Sequence, residues 1–314
     1  MDAEPCIEVK ELYKTYRGGV TIGPISIESS SGEILGLVGP NGSGKTTTIR
    51  CLVGLQRPSK GLVRVAGLNP LLDRRKVMKI VGYSEELPVF PPFLSGREIL
   101  KATGRLRGLT GQKLGDEVER VLDLSGLAGH ADRKLGQYSK GMVQRLSIAQ
   151  ALIGDPEILI LDEPMLGVDP AARIHMREIF LQLRQRGKTI LFSTHELYEV
   201  ERIADRVSMI YRGKIILEDH VERLLGWRDG RLRVMVELKS PELAPIEEIR
   251  SLNGITGVEL DGSRLFVEFK GGADERPRLA ELVALSGAGL VSMVPINRTL
   301  EDVFMEVVKS GAGS

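Results

Sequence analysis

The sequence predicts an α/β protein, in which a layered domain of alternating strands and helices is followed by a smaller α+β domain. Three observations predict it. A glycine-rich loop, Gly39-Pro40-Asn41-Gly42-Ser43-Gly44-Lys45-Thr46-Thr47, joins an apolar run to a segment free of Gly and Pro. Later apolar runs, Glu157 to Leu161 and Thr189 to Phe192, alternate with helical spacing and end in polar residues. Beyond about Gly226 the pattern becomes β-α-β-β-α-β, the order of a small ferredoxin-like domain. A chain of 314 residues suits two domains, 1–225 and 226–314.

Taken in order, Ile7 to Ile27 reads as an antiparallel β subdomain whose strands are broken at Gly18-Gly19 and at Gly23-Pro24. Position alone makes Tyr13 and Tyr16 core residues. Ile34 to Val38 is a buried strand leading into the loop, and Thr46 to Val53 is the helix leading out. Gly61 to Gly67 contains a short strand, and Val77 to Tyr83 reads as a buried strand ending in Ser84-Glu85-Glu86. Between about 88 and 153 the spacing turns helical, with Ile99, Leu100 and Leu106, then Val118, Val121 and Leu122. Ser95, with Glu98 three residues on, predicts a capping box there. This helical subdomain ends at Lys134 to Met142, which leads into a helix from Val143 to Ile153. Strands follow at Glu157 to Leu161, at Thr189 to His195 with a polar tip, and as a pair from Val207 to Leu217 around Arg212-Gly213, with a helix from Ala171 to Arg186. In the tail the pattern predicts strands at Arg231 to Leu238, Gly257 to Leu260, Leu265 to Phe269 and Leu290 to Ile296. Helices are predicted from Pro245, from Arg278 and from Thr299 to Lys309, and Ser310 to Ser314 is expected to be disordered.

Composition narrows the function. Hydrophobic residues make up 42% and charged residues 27%, ordinary values for a globular protein. The net charge is +1 and aromatics are 4%, so neither a basic patch nor a stacking surface for nucleic acid is indicated. The two cysteines, Cys6 and Cys51, are far apart and outside any metal-ligand spacing, which suits a reducing compartment. No run approaches the roughly 18 apolar residues of a spanning helix, and the acidic N-terminus has no signal-peptide core.

The loop fits G-x-x-x-x-G-K-[ST], the phosphate-binding loop of a P-loop NTPase core. Gly42 and Gly44 let backbone N–H groups face a triphosphate at the positive end of the following helix. Lys45 reaches the outer phosphates and the Thr46 hydroxyl can ligate Mg²⁺. Asp162 and Glu163 stand at the carboxyl end of an apolar strand, where parallel sheets bind ligands. Asp162 suits Mg²⁺ held through water, and Glu163 suits polarising an attacking water. His195, at the tip of the next strand, can hydrogen-bond a γ-phosphate or that water. His130, His175 and His220 read as structural.

With these motifs in this order, residues Ile7 to Leu225 resemble the nucleotide-binding subunit of an ATP-binding cassette (ABC) transporter. No N-K-x-D motif of a Ras-like GTPase occurs. The resemblance implies ATP and Mg²⁺ as cofactors. It places Tyr16 against adenine, Glu86 at a position usually held by a glutamine that touches Mg²⁺, and His195 as the switch histidine. It also implies that Ser139, Lys140, Gly141 and Met142 form the signature read by a second subunit, and that Asp169 lies in the loop crossing the dimer interface. Glu86 departs from glutamine, adding an anionic ligand near Mg²⁺. The signature Tyr138-Ser139-Lys140-Gly141-Met142 departs from L-S-G-G-Q, and Met165 to Val168 from the usual small-residue spacer. Leu300-Glu301-Asp302-Val303-Phe304 resembles the tail of exporter-type cassettes. The implied protein is an ATPase on the inner face of the cell membrane, paired with a separate permease and with a second ABC ATPase subunit, either a second copy of the chain or a sister cassette. The apolar stretch Phe90 to Leu94 is the candidate permease contact. A soluble ABC ATPase acting on ribosomes or nucleic acid is the alternative, but the paired cassettes or long coiled coil of such proteins are missing from this sequence.

Overall fold

The structure is a computed structural model that describes residues 5–225, 231–270, 276–296 and 299–311. It contains two compact units, Met1–Asp219 and His220–Ser314. The expected boundary at Gly226 lies outside the described residues.

The first unit opens with β1 (Ile7–Thr15) and β2 (Thr21–Ser29), which pair antiparallel. Alternate residues Ile7, Val9, Ile25 and Ile27 are buried, the period-2 pattern of a half-buried sheet. β2 is not broken at Gly23-Pro24 as the sequence suggested. The missing N–H of Pro24 falls where the register with β1 slips between Leu12 and Lys14, and the Gly23 N–H is taken by the Gly213 carbonyl at 2.8 Å. β3 (Ile34–Val38) is buried at every position and leads to α1 (Lys45–Leu52). β4 (Lys60–Val65) then completes a three-stranded sheet in the order β2-β1-β4.

The expected strand from Val77 is instead α2 (Arg74–Ile80), and only β5 (Val81–Ser84) is extended. The run Val77 to Val81 is too short for its period to be read, and Val77 is the one buried residue of the helix. The helical subdomain contains α3 (Gly96–Leu106), α4 (Gly111–Leu124) and α5 (Lys140–Leu152). Ser95 and Glu98 form the anticipated capping box: the Ser95 Oγ accepts the Glu98 N–H at 3.2 Å, and the Glu98 carboxylate accepts the Ser95 N–H at 2.7 Å. α5 starts three residues earlier than predicted, because Ser139 caps it by accepting the Met142 N–H at 3.2 Å.

β6 (Ile158–Leu161), α6 (Pro170–Gln185), β7 (Thr189–Thr194), α7 (Leu197–Ile203), β8 (Arg206–Tyr211) and β9 (Lys214–His220) follow. The second sheet runs β5-β6-β7-β3-β8-β9, and the pairs β5–β6, β6–β7, β7–β3 and β3–β8 are parallel. β3, β6 and β7 are buried along their whole length, as parallel strands covered on both faces must be. This topology brings the carboxyl ends of those three strands side by side.

In the second unit, α8 (Val221–Leu224), β10 (Arg231–Leu238), α9 (Ile246–Arg250), β11 (Ile255–Asp261), β12 (Arg264–Lys270), α10 (Arg276–Leu285), β13 (Leu290–Ile296) and α11 (Leu300–Gly311) succeed one another. The sheet is antiparallel with the order β11-β12-β10-β13. Val234, Val236, Leu265 and Val267 alternate along their strands and pack with Ile249, Leu279 and Val283 of α9 and α10. α11 continues through Ser310 and Gly311, where disorder was expected; the Ser310 hydroxyl is spent on the Val307 carbonyl at 3.0 Å. Residues 312–314 lie outside the described residues.

Candidate active site

The loop between β3 and α1 turns because Gly42 and Gly44 sit at φ 78° and 115°, in the left-handed half of backbone space that other residues avoid. Its Ser43 N–H reaches the Pro40 carbonyl at 3.2 Å. Among the described residues, the amides of Gly42, Gly44, Lys45 and Thr46 meet no protein acceptor. The Ser43 hydroxyl is buried and also without a partner. Buried polar atoms are rarely left unsatisfied, so this cradle of free donors at a helix N-terminus fits a phosphate chain.

The loop lines a cavity of about 380 Å³ together with Ile22, Glu86 and Glu163. Lys45 is buried, and its Nζ donates to the carbonyls of Gly39 at 2.7 Å and Pro40 at 3.4 Å. It also stands 3.2 Å from Glu163 Oε1. Glu163 is buried at the end of β6, and its Oε2 lies 3.0 Å from His195 Nδ1. A carboxylate only accepts, so Nδ1 carries the hydrogen. Lys45, Glu163 and His195, widely separated in sequence, therefore form one line, an ion pair followed by a hydrogen bond. Asp162 is 1% exposed, and burial pushes its carboxyl above the ordinary range. Hydrogen bonds from Ser193 and Thr46 pull it back down, the Glu163 charge pushes it up, and the Lys45 charge lowers it.

Tyr16, read from its position as core, is 38% exposed and stands at the loop. Its hydroxyl lies 2.7 Å from Thr47 Oγ1 and accepts from Gln56 Nε2 at 3.1 Å. Glu86 is half-buried in the cavity wall, and the adjoining apolar residues Leu87, Val89 and Phe93 are 70%, 86% and 70% exposed.

The signature residues do not reach this cavity, and neither does Asp169. Ser139 and Lys140 are exposed, whereas Met142 is buried. Asp169 caps α6, accepting the Ala172 N–H at 3.0 Å. A Cβ added to Gly141 would lie 3.9 Å from Asp169 Oδ2, so signature and loop share one neighbourhood away from Lys45.

Two buried polar residues escaped the sequence reading. The Ser193 hydroxyl touches both acids of the Asp162-Glu163 pair, and Gln144 Nε2 donates to the Glu163 carbonyl at 3.4 Å. Their signal was a polar residue at an inward position of an otherwise apolar strand or helix face.

This fold and this loop define a P-loop nucleotide-binding ATPase. Comparison with known proteins agrees. The family model described as ABC transporter matches residues 22–166. An ABC transporter ATP-binding protein of Synechocystis sp. is 41% identical over 233 residues, 71% of this chain and 65% of that protein. The Nod factor export ATP-binding protein I of Burkholderia lata is 35% identical over 303 residues, 96% of each chain. A solved structure of an ATP-binding subunit of an ABC transporter superposes with a TM-score of 0.65 at 28% identity, covering 71% of this chain and 93% of that one. The chain belongs to the ATP-binding subunits of ABC transporters.

Proposed function

We propose that this chain hydrolyses ATP to drive a separate membrane permease, as the energising half of an exporter. The observation that carries the reading is the line Lys45–Glu163–His195 beside the free donors of the loop. Phosphate oxygens displace the Gly39 and Pro40 carbonyls from Lys45 and take up the Ser43 hydroxyl and the loop amides, with Tyr16 stacked on adenine. The candidate metal donors are all oxygen: the Thr46 hydroxyl and the Glu86 carboxylate line the cavity, and the Asp162 carboxylate is buried outside its lining. That suits Mg²⁺, which takes one or two protein ligands and completes its shell with phosphates and water. When bound, Mg²⁺ neutralises charge developing on the phosphates. Glu163 orients the attacking water, while His195 holds its Oε2 in place.

Ser139 and the Gly141 N–H, at the exposed start of α5, supply γ-phosphate contacts to a second copy of the chain. Their distance from the chain's own cavity supports a head-to-tail homodimer with Asp169 at the interface. The exposed Leu87, Val89 and Phe93 beside Glu86 offer the permease an apolar contact. Among the described residues no helix is long and apolar enough to cross a membrane, and the reading assigns the span to a separate permease. Cassette function ends near Leu225, and the second unit is an accessory domain; its antiparallel order β11-β12-β10-β13 supports the ferredoxin-like reading. Similarity to a protein named for Nod factor export supports export as the direction.

The test is co-purification of the tagged chain, with and without Glu163→Gln, from gently solubilised native membranes. A polytopic membrane protein in stoichiometric yield is expected. Recovery only in the soluble fraction, with ribosomes, nucleic acid or nothing attached, would overturn the transporter role and leave the ATPase standing.

A further inference from the structure

Ser193 is fully buried near the end of β7, two residues before His195. Its hydroxyl makes two bonds, one as donor and one as acceptor. It donates to Asp162 Oδ1 at 2.5 Å and accepts the Glu163 N–H at 3.0 Å. A hydroxyl has one hydrogen, and here that hydrogen is committed to the carboxylate.

The residue it holds is in an unusual conformation. Glu163 has φ 45°, a left-handed backbone that is costly for a non-glycine residue and persists only when its surroundings impose it. The surroundings here are identifiable. Ser193 takes the N–H of Glu163, and the carbonyl accepts from Leu166 N at 3.0 Å and from Gln144 Nε2 at 3.4 Å. Ser193 and His195 stand two apart, so β7 and the residue just after it grip Glu163 twice, by backbone and by carboxylate. The two adjacent acids have different partners: Glu163 stands 3.2 Å from Lys45, and the Thr46 hydroxyl acts on the Asp162 carboxyl.

We propose that Ser193 is a positioning residue that, through one hydroxyl, locks the metal-side carboxylate of Asp162 and the water-side carboxylate of Glu163 in register. The inference rests on the roles given to those two acids above. A rotation of the Asp162 carboxylate away from Thr46, or relaxation of the Glu163 backbone, would separate the two halves of the site without touching the nucleotide loop. Ser193 therefore acts on hydrolysis and on metal-assisted binding. It does not act on the binding of nucleotide alone, since Lys45, Ser43 and the loop amides do not contact it.

The experiment compares wild type, Ser193→Ala and the near-isosteric Ser193→Cys, whose thiol is a weak donor. Nucleotide affinity is measured by fluorescence in EDTA and again across a Mg²⁺ titration, alongside kcat and KM for ATP. The expected result is a fall in kcat of about 10- to 100-fold, the usual effect of removing a partner that orients a metal ligand. The Mg²⁺ concentration that gives half of the affinity gain should rise by a similar factor. KM and the affinity in EDTA should stay within about twofold of wild type, on the scale where a tenfold change is 1.36 kcal/mol. If both variants match wild type in kcat and in the Mg²⁺ titration, Ser193 is only a satisfied buried hydroxyl and the proposal is overturned. Equal losses of affinity with and without Mg²⁺ would also overturn it, because they mark general damage to the loop. Should wild type itself bind ATP but fail to hydrolyse it, the roles of the two acids fail first, and that outcome is separately visible.

Discussion

Replacing Glu163 by glutamine changes one atom and removes one negative charge from a buried position. The carboxylate it replaces stands 3.2 Å from Lys45 Nζ and 3.0 Å from His195 Nδ1. An amide has a single carbonyl oxygen, so it can accept from one of these donors and must present its NH₂ to the other. Lys45, which donates to the Gly39 and Pro40 carbonyls until phosphate displaces them, no longer faces an anion of the chain at this position, and its charge is available to phosphate. Two opposite effects follow. Hydrolysis loses its base: a positioned proton acceptor contributes about 10²- to 10⁴-fold, or roughly 3–5 kcal/mol at about 1.36 kcal/mol per decade. Nucleotide binding is kept or strengthened, because one anion no longer faces the triphosphate. The variant should therefore accumulate as a closed, ATP-bound dimer. Phosphate release under steady-state conditions reads the first effect, and size exclusion with ATP–Mg²⁺ reads the second. Turnover within about threefold of wild type, well inside the range for a lost base, would remove Glu163 from the reaction. A loss of turnover accompanied by loss of ATP affinity would refute the charge argument instead.

Three further outcomes are expected. Tyr16→Ala should weaken ATP binding by about 1–3 kcal/mol, the scale of one base–aromatic stack, while Tyr16→Phe, which keeps the ring and loses only the bonds to Thr47 and Gln56, should bind ATP as wild type does; equal affinity of all three proteins would remove Tyr16 from the adenine site. Ser95→Ala deletes the buried cap of α3 and should cost about 1–2 kcal/mol in urea unfolding, and an unchanged midpoint would show that the capping box carries no stability. Burial pushes the Cys51 thiol up from 9.0 to about 11, with the Lys14 charge opposing. The unfolded chain therefore loses this proton first, and stability should fall as pH rises from about 9 to 11, by about 2–3 kcal/mol at the upper end. Cys51→Ala should flatten that slope, and an identical slope in the variant would refute the assignment.

The parts of the site that were legible in the sequence are those that contiguous chain builds. A strand leads into a glycine-rich turn and a helix start that make the phosphate cradle from the nine consecutive residues Gly39 to Thr47, so contiguous chain announces it without help from the rest of the molecule. Buried strands betray themselves by unbroken apolar runs, which is why β3, β6 and β7 were readable. Short or interrupted segments were not. Val77 to Val81 offers too few residues to separate a period of 3.6 from one of 2, and it folds as the end of α2 joined to the start of β5. Gly23-Pro24 carries the local signs of a break, yet β2 passes through it because a register slip against β1 absorbs the missing donor. Neither outcome is written in neighbouring residues.

What the sequence by itself determined is the chemistry available: a phosphate loop, two acids at a strand end and a histidine at the next. What only the tertiary structure decided is which of these groups meet. The order β6-β7-β3 sets Glu163, His195 and Lys45 within 3.2 Å of their neighbours in line, and it puts the Ser193 hydroxyl between Asp162 and Glu163. It also carries Ser139 and Gly141 away from that cavity, on a helix whose start is open to solvent. The physical reason is that local propensity acts over a few residues, whereas sheet order is settled by burying apolar strand faces far apart in the chain. Contacts of a few ångströms between residues 45, 163 and 195 are consequences of that packing.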